Sequence, residues 1–120
     1  VLGWDDLTPD WAANPDRWQA FLDADMMGPL LWLRTRRPGD RFQPQGMEGH
    51  SVKLTGFFTN QKVPRTFRDR LPLLVERDRP QGGGGIVWIC GWRVDERARV
   101  RDETERVLVA RFVRLDSLSY

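Results

Sequence analysis

A chain of 120 residues that is 40% hydrophobic and 30% charged fits one globular domain with one modest core and argues against disorder. No apolar run approaches the roughly 18 residues that cross a bilayer. No signal or transit peptide is visible, and the single cysteine, Cys90, excludes an internal disulfide, so the expectation is a cytoplasmic protein.

The net charge of +2 hides an asymmetry. Residues 1–30 carry six acids (Asp5, Asp6, Asp10, Asp16, Asp23, Asp25) against Arg17, a net of −5, which leaves 18 bases and 11 acids, a net of +7, on the other 90. Seventeen of the 19 bases are Arg, whose planar fork grips phosphate with two N–H groups. A GC-rich genome also favours Arg over Lys, but it does not explain the asymmetry. Basicity of this kind fits nucleic acid. The chain opens on Val1 rather than Met, which predicts a piece of a longer polypeptide.

Residues 1–17 are acidic, hold Trp4, Trp11, Pro9 and Pro15, and read as a linker or an N-terminal arm; residues 18–120 form the domain. Asn14-Pro15-Asp16 has the form of a helix start. Trp18, Phe21, Leu22 and Met26 follow at helical spacing, with Gly28 as terminator, so the pattern favours a helix over Pro15–Met26. A short strand over Trp18–Leu22 is the competing reading.

Pro29–Thr35 reads as a strand. Arg37-Pro38-Gly39-Asp40 is a type II turn, because Pro38 presets position i+1 and Gly39 supplies the positive φ needed at i+2. Asp40 caps that turn. Leu54, Phe57 and Phe58 define the apolar face of a short helix over Ser51–Gln61, with Ser51 as N-cap. Pro64–Asp69 adds a further turn, and Leu71–Glu76 is a strand with Pro72 at its start. Asp78–Gly85 is a glycine-rich hairpin loop. Ile86–Cys90 is a central strand that buries an inert thiol. Gly91–Val94 prolongs that strand or turns. Asp95–Glu105 is irregular or a short helix, and Val107–Leu115 alternates as the last strand. These elements predict a mainly β domain with short helices.

No catalytic residue and no metal ligand set emerges. His50 is the only histidine and sits in a glycine-rich loop, so a nucleophile-and-base pair and a zinc site both lack parts. The carboxylate pairs Asp5-Asp6, Asp23 with Asp25, Asp95-Glu96 and Asp102-Glu103 read as solvated surface. Gly82–Gly85 lacks the Lys-Ser/Thr of a phosphate loop. The basic stretches remain. Arg34, Arg36, Arg37 and Arg41 surround the turn, Lys53 and Lys62 flank the short helix, and Arg65 and Arg68 follow, with Arg70 close behind. Clustered arginines beside exposed backbone suit phosphate contacts.

Leu33-Arg34-Thr35-Arg36-Arg37-Pro38-Gly39-Asp40-Arg41-Phe42-Gln43-Pro44, then Gly46-Met47, resembles the opening of the C-terminal domain of tRNA(Ile)-lysidine synthases. Lys53-Leu54, Phe57-Phe58, Gln61-Lys62-Val63-Pro64, Arg68-Asp69, Pro72-Leu73-Leu74 and Ile86–Arg93 continue the resemblance in order, over roughly residues 20–114.

The resemblance implies a β-sandwich-like fold shared with a domain of the phenylalanyl-tRNA synthetase β subunit, in which Phe21-Leu22-Asp23 is extended rather than helical. It implies a parent ligase that uses ATP and Mg to attach lysine to the wobble cytidine of tRNA(Ile). Its ATP-binding loop, of SGGxDS type, is absent from these 120 residues. The implied role of the domain is to hold the tRNA acceptor stem. The implied neighbours are the parent's N-terminal catalytic domain and a second copy of the parent. The RNA-contact candidates are Arg34, Arg36, Arg37, Arg41, Lys53, Lys62, Arg65 and Arg68, with Pro38, Gly39 and Asp40 building the turn. Family members commonly carry several lysines around Val52–Thr55; here only Lys53 stands. A docking domain without RNA contact, resting on the six tryptophans, is the alternative.

Overall fold

The computed structural model describes residues 2–3 (backbone only), 16–27, 30–76 and 85–113. Nine strands and two α-helices are placed among them: β1 Leu2–Gly3, β2 Gln19–Asp23, β3 Leu31–Arg34, β4 Arg41–Phe42, β5 Val52–Lys53, α1 Leu54–Asn60, α2 Arg65–Arg68, β6 Leu73–Glu76, β7 Gly85–Ile89, β8 Arg93–Val94 and β9 Arg106–Arg111. A 3-10 helix spans Glu96–Ala98. The domain is mainly β with short helices, as its composition and pattern imply.

The central layer is an antiparallel sheet in the order β3-β6-β7-β8. One face, with Leu73, Val75, Ile86 and Ile89, packs on Phe42, Leu54, Phe57, Phe58 and Val63. The other face, with Val87, Trp88 and Cys90, packs on Ala20 and Leu22 of the sheet β1-β9-β2. A strand covered on both faces must be apolar throughout, which is why Ile86–Cys90 reads as an unbroken run. A bulge in β7 assigns the faces. Trp88 stands opposite Leu74 and Ile86 opposite Val75, so Val87 is the extra residue and points to the same side as Trp88. Burial pushes the Cys90 thiol up to about 12, which leaves it protonated and unreactive.

The segment with helical spacing is a strand. β2 pairs with β9 from Gln19 opposite Arg111 to Asp23 opposite Val107. Ala20 and Leu22 point inward at period two, and this long-range pairing overrides the coincidence of Trp18, Phe21, Leu22 and Met26. The strand that the family resemblance implied is the one observed. Asn14, Pro15 and Gly28 lie outside the described residues, as does most of the hairpin loop over 78–85. Leu2 and Gly3 pair with Val107 and Arg106 of β9.

Two carboxylates expected at the surface are interior. Asp23 accepts the Thr104 hydroxyl at 3.0 Å and the Asp25 N–H at 2.9 Å. Asp95 accepts the Gln43 N–H at 2.8 Å, the Arg97 N–H at 2.9 Å and the Arg97 guanidinium at 2.9 and 3.1 Å. Each buried carboxyl group is satisfied by hydrogen bonds, as burial requires. Asp95 thereby caps the 3-10 helix and fastens the chain after β4 to the main sheet. Glu96 reinforces that link by donating its N–H to the Gln43 carbonyl at 2.6 Å.

Arg17 closes the far side. Its guanidinium lies 4.9 Å from the Trp92 ring centroid and donates to the Gly91 carbonyl at 2.9 Å. Gly91 has φ +83, and a Cβ there would stand 2.7 Å from the Trp18 ring, so only glycine fits.

Candidate nucleic-acid interface

The turn after β3 forms as its residues dictate. Gly39 has φ +84, and the Asp40 N–H returns to the Arg37 carbonyl at 3.2 Å. Asp40 then fixes the turn from inside. Its two carboxylate oxygens each accept from Arg34 at 2.9 Å, and one also accepts the Arg37 N–H at 2.7 Å. Burial alone would raise the Asp40 carboxyl. The Arg34 and Arg37 hydrogen bonds and the neighbouring positive charge outweigh it and hold the group below the usual carboxylate range. Arg34 is therefore a strut of the turn.

The turn feeds β4, which pairs with β5 so that Arg41 faces Lys53 and Phe42 faces Val52. Phe42 is buried and meets the Phe57 ring edge-on at 4.8 Å between centroids. That contact presses the turn and the start of α1 onto one core. The helix begins at Leu54, later than expected, because Val52 and Lys53 are committed to β5. Ser51 is not its N-cap. The Leu54 N–H goes to the Asp40 carbonyl at 2.9 Å, and the Ser51 hydroxyl accepts from Arg41 Nε at 3.2 Å.

Between the turn and α1 lies an open cleft of about 490 Å³ lined by Arg36, Arg37, Pro38, Gly39, Asp40, Lys53, Leu54, Thr55 and Asp69. It brings together Arg36, Arg37 and Lys53, which the sequence singled out from two separate stretches. The Arg37 and Lys53 side chains are exposed and neither forms an ion pair with a carboxylate among the described residues. Arg36 reaches Asp69 through Nε at 2.7 Å.

The other candidates are placed differently. Arg41 lies beside Lys53 across the β4–β5 pair, with its guanidinium on Ser51. Arg68 is turned inward, donating to the Val63 carbonyl at 2.9 Å with its guanidinium 6.0 Å from the centre of the Phe58 ring. Lys62 and Arg65 are exposed beyond the C-terminal end of α1. Lys62 has φ 56, and the following Val63 N–H bonds back to the Phe58 carbonyl at 2.9 Å, a helix ending usually made by glycine. Sequence reasoning missed Asp69 as a lining residue. Its only signal was an acid inside the basic stretch 62–70. His50 lies exposed in its loop, and among the described residues no group of three His, Cys, Asp or Glu is placed to hold a metal.

The arrangement places three cationic side chains beside exposed backbone, a combination that can accept phosphate oxygens. A tRNA(Ile)-lysidine synthase of Dehalococcoides mccartyi (strain CBDB1) is 42% identical over 93 residues, covering 78% of this chain and 18% of the relative. One from Symbiobacterium thermophilum is 46% identical over 81 residues, 68% of this chain and 15% of the relative. One from Geobacter sulfurreducens is 34% identical over 118 residues, 92% of this chain and 23% of the relative. The chain thus spans about a fifth of the length of these relatives. A solved structure, described as the crystal structure of the TILS C-terminal domain, matches with a TM-score of 0.59 at 28% identity, over 78% of this chain and 68% of that one. The model of the TilS substrate C-terminal domain matches residues 31–111. That match spans more than half of the sequence, and the chain belongs to the TilS substrate C-terminal domain family.

Proposed function

We propose that this domain holds the acceptor stem of tRNA(Ile) for a cytoplasmic, ATP-dependent lysidine synthase that modifies the wobble cytidine. In that reading ATP and magnesium act in the N-terminal catalytic domain of the longer protein, and this domain supplies grip rather than chemistry. The observation that carries the reading is the cleft that gathers Arg36, Arg37 and Lys53. A-form stems have a major groove too deep and narrow for side chains, so proteins hold them by phosphate, 2′-hydroxyl and minor-groove contacts. Cations gathered along an open cleft fit that demand. Arg41, Lys62 and Arg65 extend the basic surface, whereas Arg34 and Arg68 act through the fold.

The test is a titration of the chain with tRNA(Ile) at several salt concentrations. Salt-sensitive binding that weakens in Arg37→Ala and Lys53→Ala is expected. Binding that is absent even at low salt would overturn the reading.

A second reading, docking on the rest of the parent or on a second copy, is favoured by one feature. Trp32 and Leu33 are exposed on β3, which pairs only with β6 among the described residues, and Leu30 is exposed just before it. Full-length modification activity that survives loss of Arg36, Arg37 and Lys53 but fails in Leu33→Asp would favour it.

A further inference from the structure

We propose that Asp69 is an exchangeable counter-anion in the basic cleft, and that a phosphodiester of bound RNA displaces its carboxylate from Arg36. The inference rests on the reading of the cleft as phosphate-binding and adds a selectivity device to it.

The geometry of the pair carries the proposal. Arg36 and Asp69 meet through one hydrogen bond, Nε to Oδ1 at 2.7 Å, across 33 residues of sequence. The Asp69 side chain is 75% exposed and the Arg36 side chain 27%. The cation is thus seated against the protein while the anion stands in water. Both terminal nitrogens of the Arg36 guanidinium are left without a partner among the described residues. A phosphodiester brings two non-bridging oxygens and can engage two of those N–H groups in parallel, which a singly bonded carboxylate does not. Exposed ion pairs are weak and screened by salt, so the exchange costs little.

Displacement then depends on what arrives. A small phosphate ion competes with Asp69 for Arg36 alone. A nucleic-acid backbone presents successive phosphates, so Arg37 and Lys53 engage as Asp69 is expelled. Asp69 therefore weakens small anions at Arg36 modestly, while a polyanion offsets the same cost through its contacts to Arg37 and Lys53.

Asp69→Asn keeps the shape of the side chain and removes its charge. At fixed salt it is expected to bind a tRNA(Ile) transcript about twofold to fivefold tighter, the range set by an exposed ion pair. Its binding is expected to depend more steeply on salt, by less than about one cation, because no freed carboxylate recruits a cation from solution. Inorganic phosphate should compete more strongly with tRNA on D69N than on the parent chain.

The gain must vanish when Arg36 is already Ala, so the decisive comparison is D69N in the parent and in the R36A background. An equal gain in both backgrounds overturns the proposal, because Asp69 would then act by general repulsion. An unchanged D69N affinity, while R37A and K53A still weaken binding, overturns the exchange and leaves the phosphate reading standing. Failure of every chain to bind tRNA overturns both. Circular dichroism of D69N confirms that the substitution at this exposed site leaves the fold intact.

Discussion

Two arginine–aspartate pairs begin two residues apart and end in opposite roles. Arg34 grips both oxygens of Asp40, and the side chains are only 20% and 13% exposed. Arg36 touches one oxygen of Asp69, and that aspartate is 75% exposed. The first pair joins residues six apart and braces a turn; the second crosses the cleft from one segment to another. Residue type does not separate their roles. Burial and the number of satisfied acceptors do, and these decide which arginine is structural and which is available to a ligand.

The largest effect comes from removing the core beneath the turn. Phe42→Ala should cost about 3–5 kcal/mol of stability, measured by urea unfolding, because the buried ring leaves a cavity under the turn and α1. Next comes the strut. Arg34→Ala should cost about 1–3 kcal/mol, because it strips a mostly buried carboxylate of its two-point partner. Arg36→Ala should cost less than about 1 kcal/mol, as for exposed pairs in general. Equal losses in the two variants would erase the distinction.

The smallest effect is a pH dependence. Asp40 has its carboxyl lowered in the folded chain from an ordinary value of 3.8. A depressed acid contributes stability that is present above its unfolded value and lost as pH falls through its folded one. Asp40→Asn should therefore flatten the loss of stability below about pH 4 relative to the parent chain. An unchanged acid limb in Asp40→Asn would count against the strut.

What the sequence disclosed follows the same division between local and distant interactions. The turn at Arg37–Asp40 was legible because Pro38 and Gly39 settle its geometry within four residues. The run Ile86–Cys90 was legible because a strand buried on both faces must be apolar. β2 was not legible from spacing, since its partner β9 lies over 80 residues away in sequence. Asp23 and Asp95 were misassigned to the surface for the same reason. Their partners Thr104 and Gln43 lie 81 and 52 residues away. Ser51 looked like a helix cap because Ser suits that position, but β4 claimed its neighbours first. The basic residues were visible, yet only packing shows that Arg36, Arg37 and Lys53 share a cleft, that Arg68 folds inward, and that Asp69 stands among them.

The most direct measurement is the salt dependence of tRNA(Ile) binding for the chain and for its R36A/R37A/K53A variant, with folding of both checked by thermal melting. If the three residues each neutralise a phosphate, the slope of log affinity against log salt should fall by about two to three in the variant. A slope that stays the same in a folded variant would contradict the assignment of the cleft as the RNA-binding surface.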